Sequence, residues 1–305
     1  MKVSAISVDL DSLQHYCRIQ GVPESVLDDR ARSLVDAVAV PRYLELFDKA
    51  GVPATFFAIG AEAGPSLRRA REAGVEIASH SFAHDYAMSR WPADRIEQDL
   101  DAAHTAITEA SGAPPVGFRA PGYTLSAALL RAVARKGYAY DSSAYPAAPY
   151  WAAKAGVMGA LKVLGRPSRA ILDSPRVLLA PIFPYRPALD QPYGKGDAPL
   201  KELPIAVAPV TRVPFIGTFV TMMPWPVVTM TYRAVSALPL LNFELHAVDV
   251  LDVSDGIPEE LARQQRDLKV PATEKLSRLS KLFGWMKESS DCLTLRDAAS
   301  RFDLN

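Results

Sequence analysis

The chain has 305 residues, 49% apolar and 22% charged, an ordinary globular composition with enough apolar material for a substantial core. Lys plus Arg and Asp plus Glu both number 34, so the formal charge is zero. No basic surplus points to nucleic acid, and no polybasic block points to anionic lipid. Cys17 and Cys292 cannot staple a fold of this size and form no Cys-x-x-Cys pair, so a reducing, cytoplasmic setting is expected.

The N-terminus turns acidic too soon for a signal peptide and reads as a strand, Val3 to Val8, ending in Asp9-Leu10-Asp11-Ser12. A helix is predicted from Arg30 to Ala50, stopped by Gly51, followed by a buried strand from Ala54 to Gly60. A short helix, Ser66 to Ala73, precedes a strand, Val75 to Ala78, that leads into His80. Asp94 to Ala110 is amphipathic, with Ile96, Leu100, Ala103 and Ile107 on one stripe. A brief strand, Val116 to Arg119, opens onto Ala120-Pro121-Gly122-Tyr123; then come a helix, Ser126 to Lys136, and a strand, Tyr138 to Tyr140, ending at Asp141. Strand and helix alternating at such short intervals predict a parallel α/β sheet or barrel.

From Tyr145 to about Leu200 this rhythm breaks into a stretch rich in proline, alanine and tyrosine, with a short helix expected from Ala152 to Leu164. It reads as an insertion, or a lid over one end of the barrel, within a single domain spanning 1–305. Regular structure is expected again at Leu203 to Ala208 and Asn242 to Val250, with a helix, strand and helix from Thr273 to Phe302. Val213 to Tyr232 carries no charge. Its prolines Pro214, Pro224 and Pro226, and its many Val, Thr and Phe residues, favour buried strand and loop over a membrane span.

The residues able to bind metals or move protons cluster just after predicted strands: Asp9 and Asp11, His80 and His84, Arg119, Asp141 and His246. In parallel α/β folds those strand ends face the ligand, so distant residues can converge. His80 and His84 stand four apart, and on a helical turn both would point the same way, as a divalent metal requires. Ser81 occupies the position where a zincin motif needs Glu. Asp9 and Asp11 share a face by the two-residue period of a strand, so one could bind metal while the other accepts a proton from water. An Asp-His-His set with an open position is the pattern of a catalytic metal site.

These segments together resemble the polysaccharide deacetylase family, also called the NodB homology domain or carbohydrate esterase family four. The resemblance rests on Ser7 to Asp11, Ala54 to Gly60, Glu76 to His84, Phe118 to Tyr123 and Gly137 to Ser143, with a weaker last motif, Phe243-Glu244-Leu245-His246. It implies a distorted (β/α)7-type barrel, with the long insertion between the fourth and fifth motifs, and one divalent metal ion, expected to be zinc. By the resemblance, Asp11, His80 and His84 would be ligands and Asp9 the general base held by Arg119. His246 would be the general acid, and Asp141 would orient or tune nearby groups. Pro121, Gly122 and Tyr123 would contact substrate, with the amide near Gly122 helping to hold the oxyanion.

The chain departs from the family where Leu10 separates two aspartates that are usually adjacent, which leaves the base and ligand roles exchangeable. It departs again where Arg-Ala-Pro-Gly-Tyr replaces Arg-Pro-Pro-Tyr-Gly. These variants resemble two branches, one of deformylases and deacetylases of lipid-linked or exported sugars, the other of allantoinase-like and cyclic-imide hydrolases. The leading expectation is a hydrolase that removes an acetyl or formyl group from an N-acylated sugar, with peripheral contact to membrane lipid, on the inner face, if that sugar is lipid-linked. A cyclic-amide or ureide hydrolase and a retired, glycan-binding fold are the alternatives. His15 is a minor candidate near Asp11, and His104 reads as a packing residue. Glu202 and Asp249 read as surface acids, Asp249 with the further option of partnering His246.

Overall fold

A computed structural model describes residues 2–163 and 171–304. Strands β1 (Val3–Asp9), β2 (Thr55–Ala58), β3 (Glu76–Ser79), β4 (Gly117–Phe118) and β5 (Tyr140–Asp141) follow one another across a parallel sheet. A small antiparallel hairpin, β6 (Pro187–Ala188) with β7 (Gln191–Lys195), lies apart from it. The main sheet continues through β8 (Lys201–Glu202), while β9 (Leu240–His246) and β10 (Asp291–Leu293) return to β1. β9 runs beside β1 over its full length; the other edge of β1 is shared, β10 taking Val3–Ala5 and β2 taking Ser7–Asp9.

The ring closes between β8 and β9 with few bonds. The Ala206 amide donates to the Asn242 carbonyl at 2.9 Å, and the Asn242 side-chain amide donates to the Leu203 carbonyl at 2.9 Å. The result is the expected distorted (β/α)7-type barrel, with β10 wedged beside its first strand. Every residue of β1 is buried, because helices cover the outer face and side chains fill the inner one.

Register sets the chemistry. Asp9 lies directly across from His246, and Ser7 from Glu244, along the β1–β9 pair. Ser79, Phe118 and Asp141 are likewise aligned across β3, β4 and β5, so His80, Arg119 and Ser142 emerge at one level of the same rim. The opposite end is a stapled base. Glu76 accepts the hydroxyls of Thr55 (2.8 Å) and Tyr140 (2.9 Å) and the Arg296 amide (3.0 Å), tying the starts of three strands to the C-terminal helix Leu295–Arg301.

Several expectations are corrected. Val213 to Tyr232 is mostly helical, as Gly217–Met222 and Trp225–Val235, rather than strand and loop. Pro224 and Pro226 fall at the N-cap and first turn of the second helix, where a missing N–H is harmless. The threonines return their hydroxyls to the preceding turn, Thr221 to Gly217, Thr229 to Trp225 and Thr231 to Val227. Among the described residues no helix is long and apolar enough to cross a membrane. Leu203 to Ala208 is extended but carries only an isolated bridge, Val207 to Pro214, beyond the short β8. The insertion's helix spans Ala148–Val163, starting before the expected Ala152; its expected end, Leu164, lies outside the described residues. Glu202 is fully buried, not a surface charge.

Gly117 of β4 is where the barrel is tightest: a Cβ there would meet the Tyr140 ring at 1.9 Å. Gly117→Ala should therefore displace the Tyr140–Glu76 contact and lower stability by about 1–3 kcal/mol, read as a fall in thermal midpoint against wild type. An unchanged midpoint would show that the base of the barrel is looser than its packing implies.

Candidate metal centre and active site

His80 and His84 do not sit on a helical turn. The backbone leaves β3 and reverses with Ser81 and His84 both in the left-handed region, at φ 66° and 47°. Asp99, on the helix Ala93–Ser111, holds this turn by accepting the amides of Phe82 (2.8 Å) and Ala83 (3.0 Å), and Ser81 Oγ accepts the His84 amide (3.0 Å). The turn still brings the imidazoles together, with ring centroids 4.6 Å apart.

The donor atoms of Asp11, His80 and His84 lie within 4.8 Å of one another, all buried. His80 Nδ1 is 2.8 Å from the Arg119 carbonyl, which fixes the proton on that nitrogen and leaves the Nε2 lone pair free, 3.6 Å from Asp11 Oδ1. Burial lowers the His80 pKa to about 4, neighbouring His84 adding to this against the pull of Asp9 and Asp11, so the ring is a neutral donor at pH 7. Burial works against charge on Asp11, yet His84 and His80 hold its carboxyl well below the ordinary range. Asp11 Oδ1 and both ring nitrogens of His84 are buried without a hydrogen-bond partner among the described residues. Orphaned donors converging from one carboxylate and two imidazoles are what a divalent ion requires, so the residues fit the metal the sequence led us to expect.

Asp9 is held differently. Its Oδ1 receives Arg119 Nη1 at 2.5 Å. The fully buried Arg119 also donates Nε to the Ser142 carbonyl and Nη2 to Ser7 Oγ and Ser142 Oγ, all at 2.9 Å, and lies 4.0 Å over the Phe57 ring. Asp9 Oδ2 is left toward the cavity, 3.7 Å from His80 Nε2 and 3.4 Å from the Tyr123 hydroxyl.

Across the cavity His246 Nδ1 lies 2.9 Å from Glu244 Oε1, and Nε2 lies 3.0 Å from the Tyr123 hydroxyl. Burial opposes a charged ring, but Glu244 more than offsets it and the His246 pKa is raised well above 6.5. The backbone here is pinned: Tyr43 donates to the His246 carbonyl (2.6 Å), and Asp249 accepts the His246 amide (2.8 Å). Asp249 is thus a buried partner of the His246 backbone, neither a surface acid nor a partner of the ring. Asp9, Glu244 and His246 form a second trio of donors within 4.8 Å, but its contacts are already met by Arg119 and Tyr123.

Gly122 and Tyr123 both line the cavity, and both are left-handed, at φ 64° and 62°. A Cβ on Gly122 would meet Tyr86 at 2.2 Å, so only glycine permits the approach that aims Tyr123 inward. Pro121, which opens this turn, is buried and is not among the residues that line the cavity. Asp141 is one layer behind: it accepts the Ser143 hydroxyl (2.6 Å), which in turn accepts the Ala120 amide (2.8 Å), and it faces Glu202. Burial first, and then Asp141, push the Glu202 pKa well above normal. His15 is buried with its ring 4.2 Å from that of His84 and its Nε2 on Glu62 (2.9 Å). His104 packs near Tyr138.

The cavity, about 280 Å³, is walled by tyrosines 16, 86, 123, 145 and 150 and by Lys154. Glu244, Lys154 and most of these tyrosines were not assigned from sequence. Glu244 could have been, since it shares a strand face with His246 two residues on.

Residues 27–140 match the family described as polysaccharide deacetylase, a span that includes His80, His84, Arg119 and the Gly122-Tyr123 turn. A peptidoglycan deacetylase of Helicobacter pylori is 29% identical over 143 residues, 46% of this chain and 48% of that protein. The chain spans about half the length of the curated relatives it matches. A polysaccharide deacetylase-like protein of Mycobacterium smegmatis shares the fold over 98% of this chain and 88% of its own, at 19% identity and TM-score 0.62. Puue allantoinase shares it over 98% and 89%, at 18% identity and TM-score 0.56. The likeness in sequence to the polysaccharide deacetylases lies in the first half of the chain, and the likeness in fold extends over nearly all of it.

The split between Asp11 and Asp9 is open to measurement. Asp11→Asn or His84→Ala should weaken zinc binding by about 100-fold or more in calorimetry, whereas Asp9→Asn should leave it within about tenfold of wild type. The reverse ranking would exchange the two roles.

Proposed function

We propose that the chain is a metal-dependent N-deacylase acting on a small N-acylated sugar. The observation that carries this is the juxtaposition, on one barrel rim, of a convergent Asp-His-His trio, a carboxylate held by arginine and a histidine paired with glutamate. Asp11, His80 and His84 would hold the ion, and a carboxylate with two imidazoles suits zinc. When bound, such an ion supplies Lewis-acid polarisation of the acyl oxygen and acidifies the attacking water.

The chain's own residues supply the proton transfers. Asp9, held by Arg119 through one oxygen, takes the proton from water with the other. His246, protonated at rest, gives its Nε2 proton to the departing amine, so that water and amide become acid and amine. The Tyr123 hydroxyl, within 3.4 Å of Asp9 and 3.0 Å of His246, links the two and can return the proton from base to acid after turnover. Tyr16 and Tyr145 line the chamber with buried hydroxyls that have no partner among the described residues, which suits a polyhydroxylated ligand. The chamber is sized for a single ring rather than a polymer chain.

Turnover of N-acetyl and N-formyl amino sugars, set against ureides and cyclic imides, tests the reading. Release of amine only from the sugar amides, lost on chelation and restored by zinc, is expected. Exclusive turnover of the cyclic compounds would replace it with the alternative hydrolase, and binding of sugars with no turnover of either set would leave a glycan-binding protein.

The pH profile tests the acid. His246 must be protonated to act, and Glu244 raises its pKa, so activity persists until the pH rises through that raised value. Glu244→Gln removes the cause and should move the alkaline limb of kcat/KM down by about 1–3 pH units. An unmoved limb would assign that ionisation elsewhere.

A further inference from the structure

The insertion places a cation in the reaction chamber. Lys154 lies one turn beyond Tyr150 on the helix Ala148–Val163, and both line the cavity shared by Asp9, Asp11, His80 and His246. Its ammonium is 5.6 Å from the centre of the Tyr150 ring and makes no hydrogen bond or ion pair among the described residues. Asp173, the acid that acts on it electrostatically, is engaged elsewhere, accepting the Tyr193 hydroxyl and the Ser174 amide. Burial lowers the Lys154 pKa, which reflects the cost of keeping a charge there without a counterion.

The other charges of the chamber are already matched. Asp9 is paired with Arg119 and Glu244 with His246, and Asp11 belongs to the metal trio. A second cavity of about 540 Å³ continues from the chamber past Ile19 and Tyr86. Arg18, Arg90 and Arg95 line it against one acid, Asp85. Arg18 is paired with Glu24, while among the described residues Arg95 lies 3.6 Å over the Trp91 ring, with Asp99 acting on it, and Arg90 donates to the Leu172 carbonyl, with Asp173 acting on it, so guanidinium groups border this side of the chamber.

We infer that the substrate carries an acidic group, a phosphate or a carboxylate, and that Lys154 pairs with it while the acyl group lies against the Asp-His-His trio. The inference rests on the deacylase reading and narrows its substrate class. Lys154 would select and orient; it takes no part in the proton transfers.

Calorimetric titration of the zinc-loaded protein with N-acetylglucosamine, N-acetylglucosamine 1-phosphate and N-acetylmuramic acid tests it, because the last two add a phosphate or a carboxylate to the same amide. At least one acidic probe should bind about tenfold or more tighter than the neutral one. That preference should vanish in Lys154→Gln and persist in Lys154→Arg, with the thermal midpoints of both variants confirming that they fold. Which acidic probe gains separates phosphate from carboxylate. Equal affinity for all three probes, or a preference that survives Lys154→Gln because the anion sits on the metal, would overturn the inference. Amide hydrolysis followed in the same samples keeps the two readings apart. A Lys154-dependent preference without hydrolysis sinks the deacylase and spares the subsite; hydrolysis without a preference does the opposite.

Discussion

The site depends on a buried ion pair. Arg119 is fully removed from solvent, and an unpaired guanidinium there would cost several kcal/mol. It is stable because strand register delivers its partners: Asp9 and Ser7 from the first strand, Ser142 from the end of the fifth, and the Phe57 ring from the second. One carboxylate oxygen of Asp9 is therefore committed to holding the barrel rim together, and the other is aimed at the chamber. Asp11, two residues on and past the strand, has no such tie. The same Asp-x-Asp segment thus yields two carboxylates with different constraints, one fixed by arginine and one without that tie.

Leu10, which separates the two aspartates, is part of the same geometry. Its side chain is buried in the core and its amide bonds to the Phe57 carbonyl at 3.0 Å, so it continues the strand's alternation by one residue. Asp9 and Asp11 then face the same cavity without being neighbours.

What could be read beforehand follows from the range of the forces involved. The alternation of short strands and helices is local and periodic, so the barrel and nearly all of its first half were legible, as were the rim positions of Asp9, Asp11, His80, His84, Arg119 and His246. The helices of Gly217–Met222 and Trp225–Val235 were not, because proline at a first turn and threonine bonding to its preceding turn look like strand and loop until tertiary packing decides. The His80–His84 turn was legible in outcome but not in form: the pairing is produced by two left-handed residues and by Asp99, a residue on another element. Glu202 and Asp249 were misread as surface acids because burial of a carboxyl depends on contacts that no local pattern reports. Lys154 was illegible for the same reason, although its spacing from Tyr150 marks one helix face.

The charges of the chamber, taken together, explain why these buried groups coexist. Asp9 with Arg119 and Glu244 with His246 are two neutral pairs, each joined by a short contact. Tyr123 bridges them through one hydroxyl, which requires a residue held in a left-handed backbone that costs about 1–3 kcal/mol. That strain is sustained by the glycine before it, which lets the turn press against Tyr86. Asp11 has the two imidazoles beside it, His84 Nε2 at 3.2 Å and His80 Nε2 at 3.6 Å, and a divalent ion there would leave one positive charge in excess. Lys154 adds a second. Asp11 without an ion would leave two histidines sharing one carboxylate, and an ion without an acidic ligand would leave the lysine with no ion pair among the described residues in a tyrosine-walled space. A cation at the rim and an anion beneath the insertion, as proposed, would give Asp11 and Lys154 each a neighbour of opposite sign.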